Sequence, residues 1–182
     1  MANAFNIAAV CNCKVKVGAF KLQPFSAWHL FVLQALNSPF ITGGVIEPGD
    51  VTQLVLVCQD RYEDNLISLY RFIGSKLYRF YIGLKLFMYP TWYLAEQAVA
   101  YVNSFLQAPA IWQDADSSPS KLPLGLNIIC TCVRHGITFA EAANLPFPLA
   151  TALFAGFAEA NGAEIAEKDI EEFEEVLRRK RN

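Results

Sequence analysis

Five cysteines and two histidines are the side chains with the most reactive chemistry open to them in this 182-residue sequence. Cys11 and Cys13 form one C-x-C pair, Cys130 and Cys132 form a second, and His135 follows Cys132 by three residues. Thiolates and an imidazole are zinc ligands, so this grouping raises a metal site. The spacing argues against one. Zinc sites use C-x₂-C or longer intervals, and Cys130 and Cys132 fall in an apolar helical run, where positions i and i+2 point to different faces. The expectation is inert thiols packed as small hydrophobes, with no metal and no cofactor. An odd number of cysteines also suits a reduced, cytosolic protein better than a disulfide scaffold.

Catalytic signatures are absent as well: the chain has no G-x-S-x-G, no glycine-rich phosphate loop, no H-E-x-x-H and no dinucleotide fingerprint. His29 falls in the first turn of a helical run, where the positive end of the helix dipole disfavours the imidazolium. It reads as a neutral core histidine bonded to backbone. His135 stands at a helix C-terminus, where a charged ring would act as a cap. Asp114 and Asp116 lie in a polar loop with no evident basic partner and read as solvated. A protein that is not an enzyme is expected.

The elements around these residues are mainly helical. Cys13, Val15 and Val17 alternate with Lys14 and Lys16, and Gly18 permits a turn before Phe20 and Leu22, which predicts a small N-terminal β-hairpin. Ser26 caps a mostly buried helix from Ala27 to about Leu36. Ser38-Pro39 stops it, because the residue before proline is driven out of the helical region. A loop through Gly43-Gly44 and Pro48-Gly49 follows, with Asp50 as N-cap of a helix carrying Leu54, Val55, Val57 and Cys58. A long helix covers about Glu63 to Met88; Tyr89-Pro90 breaks it, and Thr91 caps the next, Trp92 to about Leu106. After the polar loop, a helix begins near Leu124 and ends at Gly136. Thr138-Phe-Ala-Glu141 is a capping box. Another helix starts around Pro148, with Leu149, Leu153, Phe154 and Phe157 as its apolar face, and stops at Asn161-Gly162. The predicted fold class is therefore mainly α, a multi-helix bundle with a short N-terminal β-hairpin. Its organisation is a helical domain over 1–165, with a hinge or loop near 107–123, and a peripheral charged C-terminal helix over 166–182.

Composition narrows the function. Hydrophobic residues make up 54% and charged ones 18%, a surplus of apolar surface that another chain is expected to cover. Asp64, Ser68, Arg71, Ser75, Arg79 and Gly83 lay one polar stripe down the central helix, and nearly everything else on it is apolar or aromatic. A helix greasy on two sides belongs in the centre of its fold or at a subunit contact. Arg71, Lys76, Arg79 and Lys85 are the only charges between Asn65 and Ala95, whereas Glu159 to Glu175 is strongly acidic. Basic residues among aromatics, as in Tyr78-Arg79-Phe80-Tyr81, resemble a stacking platform for single-stranded nucleic acid. The basic footprint is too small for that, and no nucleic-acid partner is expected. The uncharged run from Leu22 to Ile46 is broken by prolines, glycines and amides, so no membrane span is predicted despite a mean hydropathy of +0.27. The N-terminus shows no secretory signal.

Four pieces in a fixed order carry a resemblance: a leading strand, Leu22-x-Pro24-x-Ser26 at a helix entry, Ser38-Pro39-Phe40 at its stop, and the Gly43-Gly44 loop. This order resembles the entry module of tail assembly chaperones from long-tailed bacteriophages, and Leu145, Pro146 and Gly162 match a later segment of that family. The resemblance implies a non-enzymatic factor that coats the long, helix-rich tape measure protein and helps recruit the tail tube subunit in the cytoplasm of the bacterial host, alone or as a homo-oligomer. The client groove then falls on the aromatic helices, at Tyr70, Phe72, Tyr78, Phe80, Tyr81, Phe87, Trp92 and Tyr93. The other expected role is a structural subunit of a virion or another self-assembling complex.

Overall fold

The computed structural model describes residues 14–63, 76–106 and 122–161. Cys11, Cys13, Tyr70, Phe72, Asp114, Asp116, most of the expected hinge and the expected C-terminal helix lie outside the described residues. Within them the protein is mainly α, with eight helices and one antiparallel hairpin.

The hairpin pairs β1 (Val15–Val17) with β2 (Phe20–Leu22), Val15 opposite Leu22 and Val17 opposite Phe20. Val17, Phe20 and Leu22 are buried while Lys16 and Lys21 are exposed, the alternation that the sequence predicts. Gly18 takes the left-handed turn position at φ +56°, and its N–H donates to Gln97 Oε1 at 2.8 Å, which ties the turn to a later helix.

Helix α1 (Ala27–Ala35) begins at Ser26, whose hydroxyl accepts from the His29 N–H. Asn37, at φ +50°, ends it. Before the expected loop at Gly43-Gly44, the chain makes a further single turn that was not expected from the sequence, α2 (Pro39–Thr42). Proline stops the helix before it and also suits the first position of a new one, where its missing N–H has no bond to lose. The same preference corrects the start of α3 (Pro48–Cys58), which precedes the expected cap at Asp50. Pro48 is the first helical residue, Glu47 the cap, and Asp50 reaches back from the first turn to accept the Glu47 N–H at 2.8 Å.

Helix α4 (Lys76–Phe87) and helix α5 (Thr91–Leu106) meet at a tight turn. Thr91 is the first residue of α5 rather than its cap, because the Pro90 carbonyl already accepts the Leu94 N–H at 3.2 Å. Helix α6 (Leu124–Arg134) ends before Gly136, which sits at φ +91°. Helix α7 (Phe139–Asn144) opens with the predicted capping box: Glu141 N–H donates to Thr138 Oγ1 at 3.3 Å and Thr138 N–H donates to Glu141 Oε2 at 3.1 Å. The Thr138 hydroxyl donates to the same carboxylate at 2.6 Å, and these bonds hold the Glu141 carboxyl below its ordinary pKa. Thr138→Ala is expected to cost about 1 kcal/mol of unfolding free energy, read from urea denaturation; an unchanged midpoint would mean that the cap contributes nothing. Helix α8 (Phe147–Ala160) buries Phe147, Ala150 and Thr151. Leu153, Phe154 and Phe157 pack half-buried against the core, and Leu149, one turn before Leu153, is half-buried as well.

The core gathers around α1, which packs on α6 and also meets α3 and α7. Phe25 lies at its centre, edge-on to Tyr101 of α5 at 6.0 Å and to Phe147 of α8 at 6.4 Å. The Tyr101 hydroxyl donates to the Gln23 carbonyl at 2.6 Å. Ser26 and Pro146 form an antiparallel bridge, and the Phe147 N–H donates to the Phe25 carbonyl at 2.7 Å, so backbone from the two ends of the described chain is joined beside the core. None of the described helices is long and apolar enough to cross a membrane.

Candidate functional site

The chemistry-bearing side chains fall into settled places. His29 is buried, its Nδ1 accepts the Ser26 N–H at 3.1 Å, and its Nε2 lies 2.9 Å from the Asp60 carbonyl. An Nδ1 that accepts leaves the proton on Nε2, which donates to Asp60, so the neutral ring fills both bonds. Burial drops its pKa to about 4, with the Asp60 carbonyl, a Pro24 backbone bond and the Asp60 charge opposing the fall. A cleft of about 200 Å³ beside it is lined by Gln23, Arg61, Glu141 and Asn144, but a ring with no spare nitrogen offers that cleft no base. The Cys58 thiol is buried and pushed up to about 12 by desolvation, so it carries no thiolate at neutral pH. Cys130 is exposed and Cys132 is buried, two positions apart on opposite sides of α6. No three His, Cys, Asp or Glu side chains among the described residues are grouped to hold a metal. His135 caps α6 through its backbone, and its ring stacks on Phe157 at 4.0 Å and 8°.

The surface is where the sequence surplus of apolar residues appears. In α4, Ile82 and Leu86 are buried, one turn apart, and fasten the helix to the core; α3 is its neighbour there. On the opposite side Phe80, Leu84 and Phe87, spaced four and three, are 69%, 57% and 88% exposed. Tyr81 and Met88, seven apart, extend that stripe at 47% and 83%. Residues spaced by three, four and seven share one helical face. Over its described residues the central helix is thus buried along one side and largely apolar along the side that faces solvent.

The α4–α5 turn continues the face. Trp92 is 69% exposed and packs edge-on against Tyr93, which stacks with Tyr89 at 6.3 Å and 19°. Below the turn a cleft of about 380 Å³ opens between Val51 and Thr52 of α3, Leu86 and Phe87 of α4, and Leu94 of α5. Tyr78 stacks with Tyr81 and donates its hydroxyl to Gln59 Oε1 at 3.0 Å. Lys85 Nζ lies 4.6 Å from the Tyr81 ring centre and 5.8 Å from that of Phe20, so its charge is held against the edge of the face.

Six of the eight expected binding residues, Tyr78, Phe80, Tyr81, Phe87, Trp92 and Tyr93, are described, and each is between 38% and 88% exposed. The remaining two, Tyr70 and Phe72, lie outside the described residues. Sequence reasoning missed Leu84, Met88 and the cleft residues Val51 and Leu94. The signal for the first two was present: Leu84 follows Phe80 by one turn, and Met88 follows Tyr81 by two. What such a face can do is take an apolar helix or strand from another chain, with the cleft receiving an anchoring side chain. No family model, curated protein or solved structure matches this chain.

Proposed function

We propose that this protein is a non-enzymatic binding factor whose aromatic α4–α5 face holds an apolar helix of a client. Taken with the resemblance of residues 13–58 and 138–162, the reading is a tail assembly chaperone that holds a tape measure protein and recruits a tail tube subunit in the cytoplasm of a bacterial host. One observation supports it above the others. Phe80, Leu84, Phe87, Met88 and Trp92 face solvent while the interior beneath them is filled by Ile82, Leu86 and Leu94. Among the described residues the core is filled without that set, and exposed apolar patches of such extent mark places where another molecule binds.

Affinity capture of the tagged full chain from its native expression context, followed by mass spectrometry, tests the reading. A very long helix-rich protein and a tube subunit are expected to come down with it. The Phe80→Ser, Trp92→Ser double variant is expected to lower that recovery at least about tenfold, since aromatic anchors carry most of the energy of such contacts. Rings or larger assemblies of this chain alone, with no client, would instead make it a structural subunit.

A further inference from the structure

We infer that the segment taken by the α4–α5 face is an acidic amphipathic helix, one whose apolar stripe is bordered by Asp and Glu. The inference rests on the client reading above and adds the chemistry of the partner. Every charged residue of α4 is basic: Lys76, Arg79 and Lys85. The hairpin adds Lys14, Lys16 and Lys21, all exposed, and no acid. The chain as a whole carries a formal charge of −2, so this basic balance is local to one margin of the apolar face.

Packing brings the hairpin and α4 to a common border. A Cβ on Gly18, in the hairpin turn, would meet Leu86 of α4, Tyr89 of the following turn and Leu94 of α5. Lys85 Nζ lies near the Phe20 ring of β2 as well as the Tyr81 ring. Lys16 and Lys21 stand directly opposite each other in the strand register. Like charges so placed weaken a strand pair, and neither lysine has a carboxylate partner among the described residues. Lys85 has none there either.

The neighbouring acids have other places. Glu47 and Asp50 stand at the start of α3, where a carboxylate suits the helix dipole, and Asp50 accepts the Glu47 N–H. Glu96 is the one acid of α5, a turn beyond Trp92. The α5 margin is therefore mixed, whereas the margin along α4 and the hairpin is basic throughout. A helix bordered by lysines would set cation against cation there, and one bordered by amides would leave the amines without partners. Acidic borders give the complementary potential, which decides choice of partner and speed of encounter more than raw affinity.

Synthetic peptides of about 20 residues, long enough to hold a helix, test the inference. They share one stripe of Leu and Phe at helical spacing and differ only at its borders, in Glu, Gln or Lys. By fluorescence anisotropy against the purified full chain, the Glu peptide is expected to bind at least about tenfold tighter than the Lys peptide at about 50 mM salt, a gap that narrows to within about threefold at about 500 mM. The Lys21→Glu, Lys85→Glu double variant is expected to cancel the preference with unchanged circular dichroism, because both side chains are exposed. Arg134→Glu, a charge reversal on α6, is expected to leave it intact. Equal binding of the three peptides, a tighter Lys peptide, a preference that survives the double variant, or one lost with Arg134→Glu would each overturn the inference and leave the client reading standing. Binding of none of the three would overturn it as well, with the client reading then decided by affinity capture; sedimentation with phosphatidylglycerol vesicles in that case would give the basic border to a lipid surface. A Glu preference in a chain that captures no client would overturn the tail-assembly reading alone.

Discussion

Acidification from pH 7 to pH 4 is expected to remove about 3 kcal/mol of stability through His29 alone, a large share of the 5–15 kcal/mol that holds a typical domain together. The folded chain holds this ring neutral down to about pH 4, chiefly because burial penalises the charged form. The unfolded chain protonates it near the ordinary histidine value of 6.5. The folded pKa is the depressed one, so the contribution is complete above pH 6.5. It falls as the unfolded state takes up a proton between 6.5 and 4, and is gone below about 4. A proton on Nδ1 would also turn the acceptor of the Ser26 N–H into a second donor facing it, which removes a bond at the start of α1. Urea denaturation at pH 7, 5.5 and 4 checks this against His29→Gln, which is less stable at neutral pH but lacks the ring's titration. The wild type should lose about 3 kcal/mol more than the variant over that range; parallel losses would assign the acid sensitivity to carboxylates.

Gly125→Ala is expected to destabilise the protein by about 2–3 kcal/mol, although alanine is the better helix former. Gly125 lies in the first turn of α6, where that helix meets α1. A Cβ there would collide with the carbonyl oxygen of Ala27 and stand 2.8 Å from the nitrogen and 3.1 Å from the Cα of Phe31. All three are backbone atoms of α1 or its start, so no rotamer change relieves the overlap and the two helices must separate. That contact holds the core together, because Ile128, Ile129 and Cys132 of α6 and Leu30 and Leu33 of α1 are buried with it. Gly156→Ala is the control. Nothing lies within 4 Å of its Cβ position in α8, so the same change there should be neutral or stabilising by up to about 1 kcal/mol. Equal effects at the two sites would show that α6 can shift away from α1 at no cost.

Local signals in the sequence carried the elements whose boundaries depend on neighbours a few residues away. Ser26 before α1, the Thr138–Glu141 pair before α7 and Gly136 after α6 each work through bonds or dihedrals within one turn, so their residue types are sufficient notice. Prolines were harder. Pro39 and Pro48 each end something and begin something, and reading only the ending hid α2 and displaced the start of α3. Gly125 was illegible because its reason lies in a helix almost a hundred residues earlier. The aromatic helix was legible only as an alternative. Its sequence shows apolar residues on both sides, and only the packed neighbours reveal that Ile82 and Leu86 face inward while Phe80, Leu84 and Phe87 face out. A composition cannot say which greasy face a fold will use.

The backbone bridge between Ser26 and Pro146 sets a clock on the ribosome. About 120 residues separate its two halves, and synthesis at about 5–20 residues per second puts roughly 6–24 s between them. During that interval Phe25 has emerged without Phe147, and the uncharged stretch from Leu22 to Ile46 has no α6 or α8 to cover it. Most small helical proteins close their contacts locally and quickly, whereas this one leaves its centre open until Pro146 and Phe147 have emerged. The nascent chain therefore presents to the cell's folding factors the same kind of surface that the finished protein is proposed to shield in others.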